Sequence, residues 1–414
     1  MFSKQVQSLC AITKGNLNFL DLSNNQLSGE LPDCWFNFEG LKILNSANNH
    51  FHGKIPSSVG SLLGIESLDL SNNNFSGELP PSLKKCTKLK FINLQDNNFS
   101  GEIPMWFGSN HPNLIVLFLR SNRFFGRIPS HLCHLTQLQI LDLAVNQISG
   151  SIPTCLNNII ALTHKWTPNS TITHSYQDYI MPNGFMVGSY DDHAIWMWKG
   201  REREYQSILG LVKSIDLSSN KLVGTIPRAI LKLDGMISLN LSRNLLTGRI
   251  PSEIGFLQSL DSLDLSKNRL CGEIPSSISL INFLNFLDLS NNNLSGKIPI
   301  GPQLSTFKAT TYEGNPNLCG FPLPKKCFGE EITQNSTLNS GHASMQDEED
   351  GFITLGFYVC AALGFVIGFW GVFSTLLLNR PWRMSYFKYL NYVKEKVCVT
   401  GTVNMVKLQR QLQT

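Results

Sequence analysis

Leu287 to Pro299 reads LDLSNNNLSGKIP, and the same phrase stands one coil earlier as LDLSKNRLCGEIP from Leu263 and two coils earlier as LNLSRNLLTGRIP from Leu239. Aligning on the Asn that stands two residues before the next apolar side chain gives Asn25, Asn49, Asn73, Asn97, Asn122, Asn146, Asn220, Asn244, Asn268 and Asn292. Nine intervals separate them: seven of 24 residues, one of 25 and one of 74. Self-similarity at such a period is the mark of stacked coils.

In Leu-Asp-Leu the two Leu side chains point one way and the Asp the other, because side chains alternate along a strand. The Leu side chains fill the interior. The Asn sits where the chain turns inward, and its amide can donate to and accept from buried backbone groups of neighbouring coils; each such group left alone costs about 1–3 kcal/mol. Gly and Pro in the SGxIP segment set the turn that leaves the strand. No coil buries its Leu row alone, so stability comes from stacking in one dimension. The second coil departs from the pattern: in Leu44-Asn45-Ser46 a Ser takes the place of a core Leu.

The LxxLxLxxNxLSGxIPxxL pattern resembles the plant-type leucine-rich repeat over residues 17–300, apart from the long interval. The fold expected is therefore an α/β solenoid: a leucine-rich-repeat superhelix with short parallel strands on its concave face, with a single transmembrane helix after it. Six coils occupy 17–153 and four occupy 212–300, with 1–16 a partial N-terminal coil, 154–211 an insert and 301–328 a C-terminal cap. Asp21, Asp69, Asp142, Asp216, Asp264 and Asp288 recur at one strand position per coil, which reads as a solvated face and not as a catalytic set.

The net charge of +4 belongs to one end. Residues 379–414 carry seven basic side chains against Glu395, and the rest of the chain holds 27 basic against 29 acidic, so no nucleic-acid surface is expected. Ten Cys in 414 residues is a modest number. Cys10 and Cys34, and Cys133 and Cys155, are each about one coil apart, and Cys319 and Cys327 bracket a short Pro-containing loop; these three pairs are expected to bridge in an oxidising compartment. Cys86 and Cys271 read as buried free thiols. His131-Leu132-Cys133-His134 fits no zinc spacing, so no metal site is expected. No nucleophile, base and oxyanion donor stand together, and neither an enzyme nor a cofactor is expected.

The insert contains Trp166, Tyr176, Tyr179, Tyr190, Trp196, Trp198 and Tyr205, with Asp191 and Asp192 beside His193. A long segment inside a regular stack is usually functional. Its aromatic residues serve either a protein interface or the packing of the insert on the stack; interface is the reading taken, with Tyr190, Trp196 and Trp198 as candidates. The exit, WKGREREYQSILGLVKSIDLSSN from Trp198 to Asn220, resembles the island-domain exit of plant leucine-rich-repeat receptor-like proteins, the family of xylanase-sensing and fungal-effector receptors. That resemblance implies that Lys199 and Tyr205, a K-x5-Y pair, contact a co-receptor kinase.

Sequons stand at Asn74, Asn98, Asn169, Asn240, Asn293 and Asn335. Asn240 lies between two core Leu and is expected either to carry no sugar or to mark an unused patch; the other five are candidate glycosylation sites. Residues 329–351 form an acidic spacer. Phe352 to Leu378 holds 27 positions without a charge, about 40 Å of helix and enough to span a bilayer. Acid before it and base after it place residues 379–414 in the cytoplasm, which makes a single-pass type I protein of the plasma membrane. Gly364, Gly368 and Gly371 give that helix a small-residue face, on which the resemblance implies an adaptor receptor kinase packs. The tail has no kinase motifs. The start has neither an apolar leader nor a polar capping unit, so the chain is expected to be the C-terminal portion of a longer receptor. The function expected is a kinase-lacking surface receptor for an extracellular, microbial protein or peptide, acting in plant defence. The alternatives are a developmental peptide receptor, a soluble inhibitor of pathogen cell-wall enzymes and a truncated or decoy form.

Overall fold

The coils repeat one circuit: a three-residue strand, a tight inward turn, a second short strand, then a short helical turn, 3-10 in all but the fourth, that returns along the outside. The computed structural model describes residues 8–11, 17–163, 172–181, 184–192, 194–199, 201–205 and 212–328, and of Trp196, Trp198 and Tyr205 the backbone alone. Among the described residues no helix is long and apolar enough to cross a membrane. The expected membrane helix with Gly364, Gly368 and Gly371, the acidic spacer, the cytoplasmic tail and the sequons Asn169 and Asn335 lie outside them.

Among the described residues two parallel sheets run the length of the stack. The first has ten strands, from Phe19–Asp21 to Phe286–Asp288, one per coil. The second, which the sequence reading did not foresee, has eleven, from Ser28–Gly29 to Asn317–Cys319. It forms because the SGxIP Gly residues adopt left-handed backbone, φ +78° to +105° from Gly29 to Gly296, and swing the chain into register with the coil before. The 25-residue interval accommodates its extra residue by replacing the 3-10 turn with a short α-helix, Trp106–Asn110.

Asn97 shows how neighbouring coils are locked. Its Nδ2 donates to the carbonyls of Leu94 (3.3 Å) and Gln95 (3.1 Å) in its own coil and of Leu70 (2.9 Å) in the coil before, while its Oδ1 accepts from the Phe75 N–H at 3.0 Å. The same arrangement runs through the ladder to Asn292. An eleventh rung follows in the cap, where Asn315 bonds the Leu289 carbonyl and the Leu294 N–H, each at 3.0 Å. Asn25 bonds only its own coil and is exposed. Inside the ladder the Leu and Ile rows form one continuous core, extended by a stack of Phe51, Phe75 and Phe99 rings about 6 Å apart. Ser46 is the one defect foreseen: it is buried in the core row and its hydroxyl has no partner.

The recurring Asp residues correct the expectation of a solvated face in part: Asp21 is exposed and Asp264 and Asp288 are half-buried, but Asp69, Asp142 and Asp216 are buried. These three share one structural role: Oδ1 accepts the N–H two residues on, from Ser71, Ala144 and Ser218, at 2.9 Å each. This side-chain turn starts the inward corner, and Asn does it equally well at Asn45, Asn93 and Asn240. The third residue of the corner is left-handed throughout, an Asn, Asp, Ser, Arg or Lys in nine coils and Val145 (φ +53°) in the sixth.

Coil six also runs past the expected boundary at 154. Leu156, Ile159 and Leu162 are buried in the core row, and the Leu162 carbonyl accepts from the Gly235 N–H of the next coil. Ile140–Asp142 pairs directly with Ser214–Asp216, so the insert leaves and returns without disturbing the sheet. Disulfides join Cys10 to Cys34, Cys133 to Cys155 and Cys319 to Cys327 with Cα separations of 5.6, 5.7 and 5.0 Å. Cys86 is a buried thiol; Cys271 is half-exposed, not buried as expected, because it stands on the outward side of the second sheet.

Two outcomes test this account. Asn97→Ala strands a buried carbonyl and a buried N–H between coils and should cost about 2–5 kcal/mol, whereas Asn25→Ala should cost about 1 kcal/mol or less. Val145→Asn should raise stability by about 1 kcal/mol, since a β-branched residue resists the left-handed region. Denaturant unfolding of each variant checks both.

Candidate functional site: the insert and the concave face

The first and third residues of each strand point outward, onto the concave face. In coils seven to nine these are Ser214 and Asp216, Ser238 and Asn240, Ser262 and Asp264. In coils four to six they include Phe91, Val116, Phe118 and Ile140, all fully buried. What covers them is the root of the insert: Ile172 at its entry and Val212 at its exit join them in a second apolar cluster, separate from the core. Phe118 takes the place that Asp or Asn holds in the other nine strands. That substitution of apolar for polar on the outward face is the sequence signal for the footprint of the insert.

Two antiparallel hairpins follow. The first pairs Thr173–Met181 with Gly184–Asp191 and lies toward coils one to three. Lys42 Nζ donates to the Ser175 carbonyl at 2.9 Å, and Asn45 Nδ2 to the Tyr190 hydroxyl at 3.1 Å. The Tyr190 ring meets Phe19 with centroids 5.3 Å apart. Tyr190 is thus half-buried against the stack, on the packing side of the two roles open to the insert's aromatic residues. Ser67 Oγ donates to Asp192 Oδ1. His174, fully buried, lies between two carboxylates, with Nε2 at 2.6 Å from Asp192 Oδ2 and Nδ1 at 3.3 Å from Glu66 Oε2. Of the acidic pair read beside His193, it is Asp192 that is buried, and its His partner comes from the other strand of the hairpin.

The second hairpin pairs Ala194–Trp198 with Arg201–Tyr205. Lys199 begins its tip with left-handed backbone, φ +53°, which the turn requires. Tyr205 pairs with Ala194 at the other end, so the two members of the K-x5-Y pair stand about 20 Å apart along one strand. Lys199 Nζ reaches Asp261 Oδ2 of coil nine at 3.1 Å. Beneath the tip a cavity of about 200 Å³ opens on the strands of coils seven to ten, lined by Arg120, Lys199, Ser238, Asn240, Asp264 and Phe286. Arg120 bridges Asp142 (3.7 Å) and Asp216 (3.4 Å), the facing carboxylates of the two coils between which the insert departs. Burial, then the charge of Asp216, raises Asp142; burial raises Asp216. The Asn240 amide is engaged by Asp216 and Ser242, while Asn74 and Asn293 are exposed and Asn98 donates to Asn74. Among the described residues no cluster of His, Cys, Asp and Glu is arranged to hold a metal.

A stack of Leu coils with two parallel sheets and a strand face crossed by an insert defines a leucine-rich-repeat solenoid. Residues 211–270 match the family described as Leucine rich repeat, residues 64–106 a two-copy form of it, and 16–38, 113–135, 137–159 and 283–303 single repeats. The whole chain is 50% identical to Receptor-like protein EIX2 of Solanum lycopersicum, covering 40% of that protein. Over 226 residues, 54% of this chain and 22% of its relative, it is 51% identical to Receptor-like protein EIX1 of the same plant. The ectodomain of the Arabidopsis receptor kinase HAESA, solved with the peptide hormone IDA and the co-receptor SERK1, superposes with a TM-score of 0.52 at 31% identity, over 72% of this chain and 46% of that one. The chain belongs to the plant leucine-rich-repeat receptor-like proteins, and spans less than half the length of these curated relatives.

The replacement Phe118→Asn keeps the strand and supplies the corner-starting amide of its neighbours, but removes the ring under the insert. It should weaken docking of the insert by about 2–3 kcal/mol while leaving the coils intact. Faster proteolytic cleavage within residues 164–211, at unchanged circular dichroism, is the expected result.

Proposed function

We propose that this chain is the membrane-proximal part of a cell-surface receptor-like protein without a kinase of its own. It binds an extracellular protein or peptide of microbial origin on its concave face and signals in plant defence through partner receptor kinases. The carrying observation is the division of the insert. Its first hairpin is fastened across coils one to three, whereas its second stands over coils seven to ten, with Lys199 and a polar cavity at the tip. The resemblance at K-x5-Y and the peptide and co-receptor in the HAESA complex both support a partner docking at this end.

In this reading Lys199 exchanges its Asp261 contact for a charge-assisted bond to the co-receptor, and Tyr205 supplies a ring with a polar tip. The residues Phe352 to Leu378 cross the plasma membrane once, and Gly364, Gly368 and Gly371 pack against an adaptor kinase. Glycans on Asn74, Asn98 and Asn293 line one flank of the second sheet and leave the concave face clear.

Replacing both Lys199 and Tyr205 with Ala should abolish ligand-dependent recovery of the co-receptor kinase from plant membranes. The level of the receptor at the cell surface should not change, because Lys199 is a partly exposed ion-pair partner worth about 1 kcal/mol or less. Recovery at the wild-type level would remove these two residues from the contact.

A further inference from the structure

His174 is placed where a neutral imidazole cannot satisfy its surroundings. Each ring nitrogen faces a carboxylate oxygen, Asp192 Oδ2 at 2.6 Å and Glu66 Oε2 at 3.3 Å, and neither carboxylate offers a proton when ionised. A neutral ring carries one N–H, so one contact would set a nitrogen lone pair against an anion. Only the imidazolium donates to both. One carboxylate belongs to the insert and the other to the third coil of the stack, so the proton on His174 is what joins the two.

We propose that His174 is a proton-operated latch, which holds the first hairpin of the insert against the concave face at mildly acidic pH and lets it lift as the medium turns alkaline. Lifting would uncover Phe19, Asn45, Ser67 and Asp69, the strand face under the hairpin.

The surrounding charges work in the same direction. Glu66 is held by Lys90 at 2.6 Å, Lys42 binds the Ser175 carbonyl of the hairpin, and Asp191 accepts from Thr173 on the far side of the ladder. The Tyr190 ring lies 6.5 Å from the His174 ring. Burial alone would lower His174, but the hydrogen bond and charge of Asp192, followed by those of Glu66, raise it. A raised His contributes its stability below its unfolded value near 6.5 and loses it as pH climbs through the folded value. Asp69, facing Asp192 across the contact, is pushed by burial up to about 7, so docking favours its neutral form and carries a penalty that grows as pH rises from the ordinary carboxylate range and is complete above about 7. Burial would raise Glu66, yet its bonds to Lys90 and then His174 lower it, so its contribution fails only in stronger acid. The closed window is therefore mildly acidic, between the Glu66 and His174 transitions.

The test is hydrogen exchange on the full chain in detergent at pH 6 and pH 9, expressed as protection factors against the intrinsic rates at each pH. Amides of Thr173–Asp191 should lose protection by about tenfold or more across this range, while amides of coils seven to ten keep theirs. Two variants are compared in an Asp69→Asn background, which the stack tolerates because Asn45 and Asn93 fill that place in the coils on either side. His174→Gln should reduce the step to less than a third of that in its background. Asp192→Asn should keep the hairpin protected at pH 9, because an amide can donate to the neutral ring while Nδ1–H donates to Glu66. A wild-type chain with equal protection at both pH values, or a His174→Gln step as large as its background, overturns the proposal.

Discussion

The structure depends on one constraint: the inward corner of each coil buries backbone groups that no coil can satisfy from within. The Asn side chain meets that need because its amide both donates and accepts, and because it is long enough to reach the Leu carbonyl of the preceding coil. Asn220 in coil seven does so across the insert, Nδ2 to the Leu143 carbonyl at 2.9 Å, with the same geometry by which Asn146 in coil six reaches the Leu119 carbonyl of coil five. The ladder therefore sets the stacking distance, the stacking distance sets the register of both sheets, and the register fixes which side chains face the concave surface. Nothing in this chain of consequences requires the insert.

For that reason the insert must be fastened by contacts of its own. At its root it uses apolar burial against Phe91, Val116, Phe118 and Ile140, which requires giving up the polar outward face in those coils. At the first hairpin it uses polar and ionic contacts to Lys42, Asn45, Glu66 and Ser67, and at the second a single described ion pair from Lys199 to Asp261. Apolar burial involves no titrating group, whereas a buried His between two carboxylates is sensitive to pH, and a half-exposed Lys–Asp pair is screened by salt. The three attachments thus differ in what can release them.

The stack was legible in the sequence because its physics repeats: the period, the Leu rows, the Asn column, the Ser46 defect and the break between Asn146 and Asn220 all follow from one coil. The buried Asp residues were misread for a related reason. A repeating position facing outward is solvated in an uncovered solenoid, and only the apolar substitutions at Phe91, Val116 and Phe118 told that this face is covered. The eleventh rung was missed because Asn315 sits 23 residues after Asn292 in a segment that lacks the Leu phrase. The His174 cluster had no local signal at all. Its members come from residues 66, 174 and 192, far apart in the chain, and a sequence reader pairs Asp192 with the adjacent His193 instead.

The placement of the two hairpins bears on how a binding surface can be built on a solenoid. A uniform stack offers a long shallow face with no edge, and shallow faces bind weakly unless a partner covers several coils. An insert that crosses the face divides it. On one side the first hairpin occupies the strands of coils one to three, so a ligand there must displace it or bind on top of it. On the other side the strands of coils seven to ten keep their Ser, Asn and Asp side chains, with Phe286 as the one outward ring and Lys199 overhanging it. A polar floor, an apolar end and a cation at the rim are the ingredients of a specific site, and a regular repeat supplies none of them together. The insert provides what the periodicity of the coils cannot, which is asymmetry.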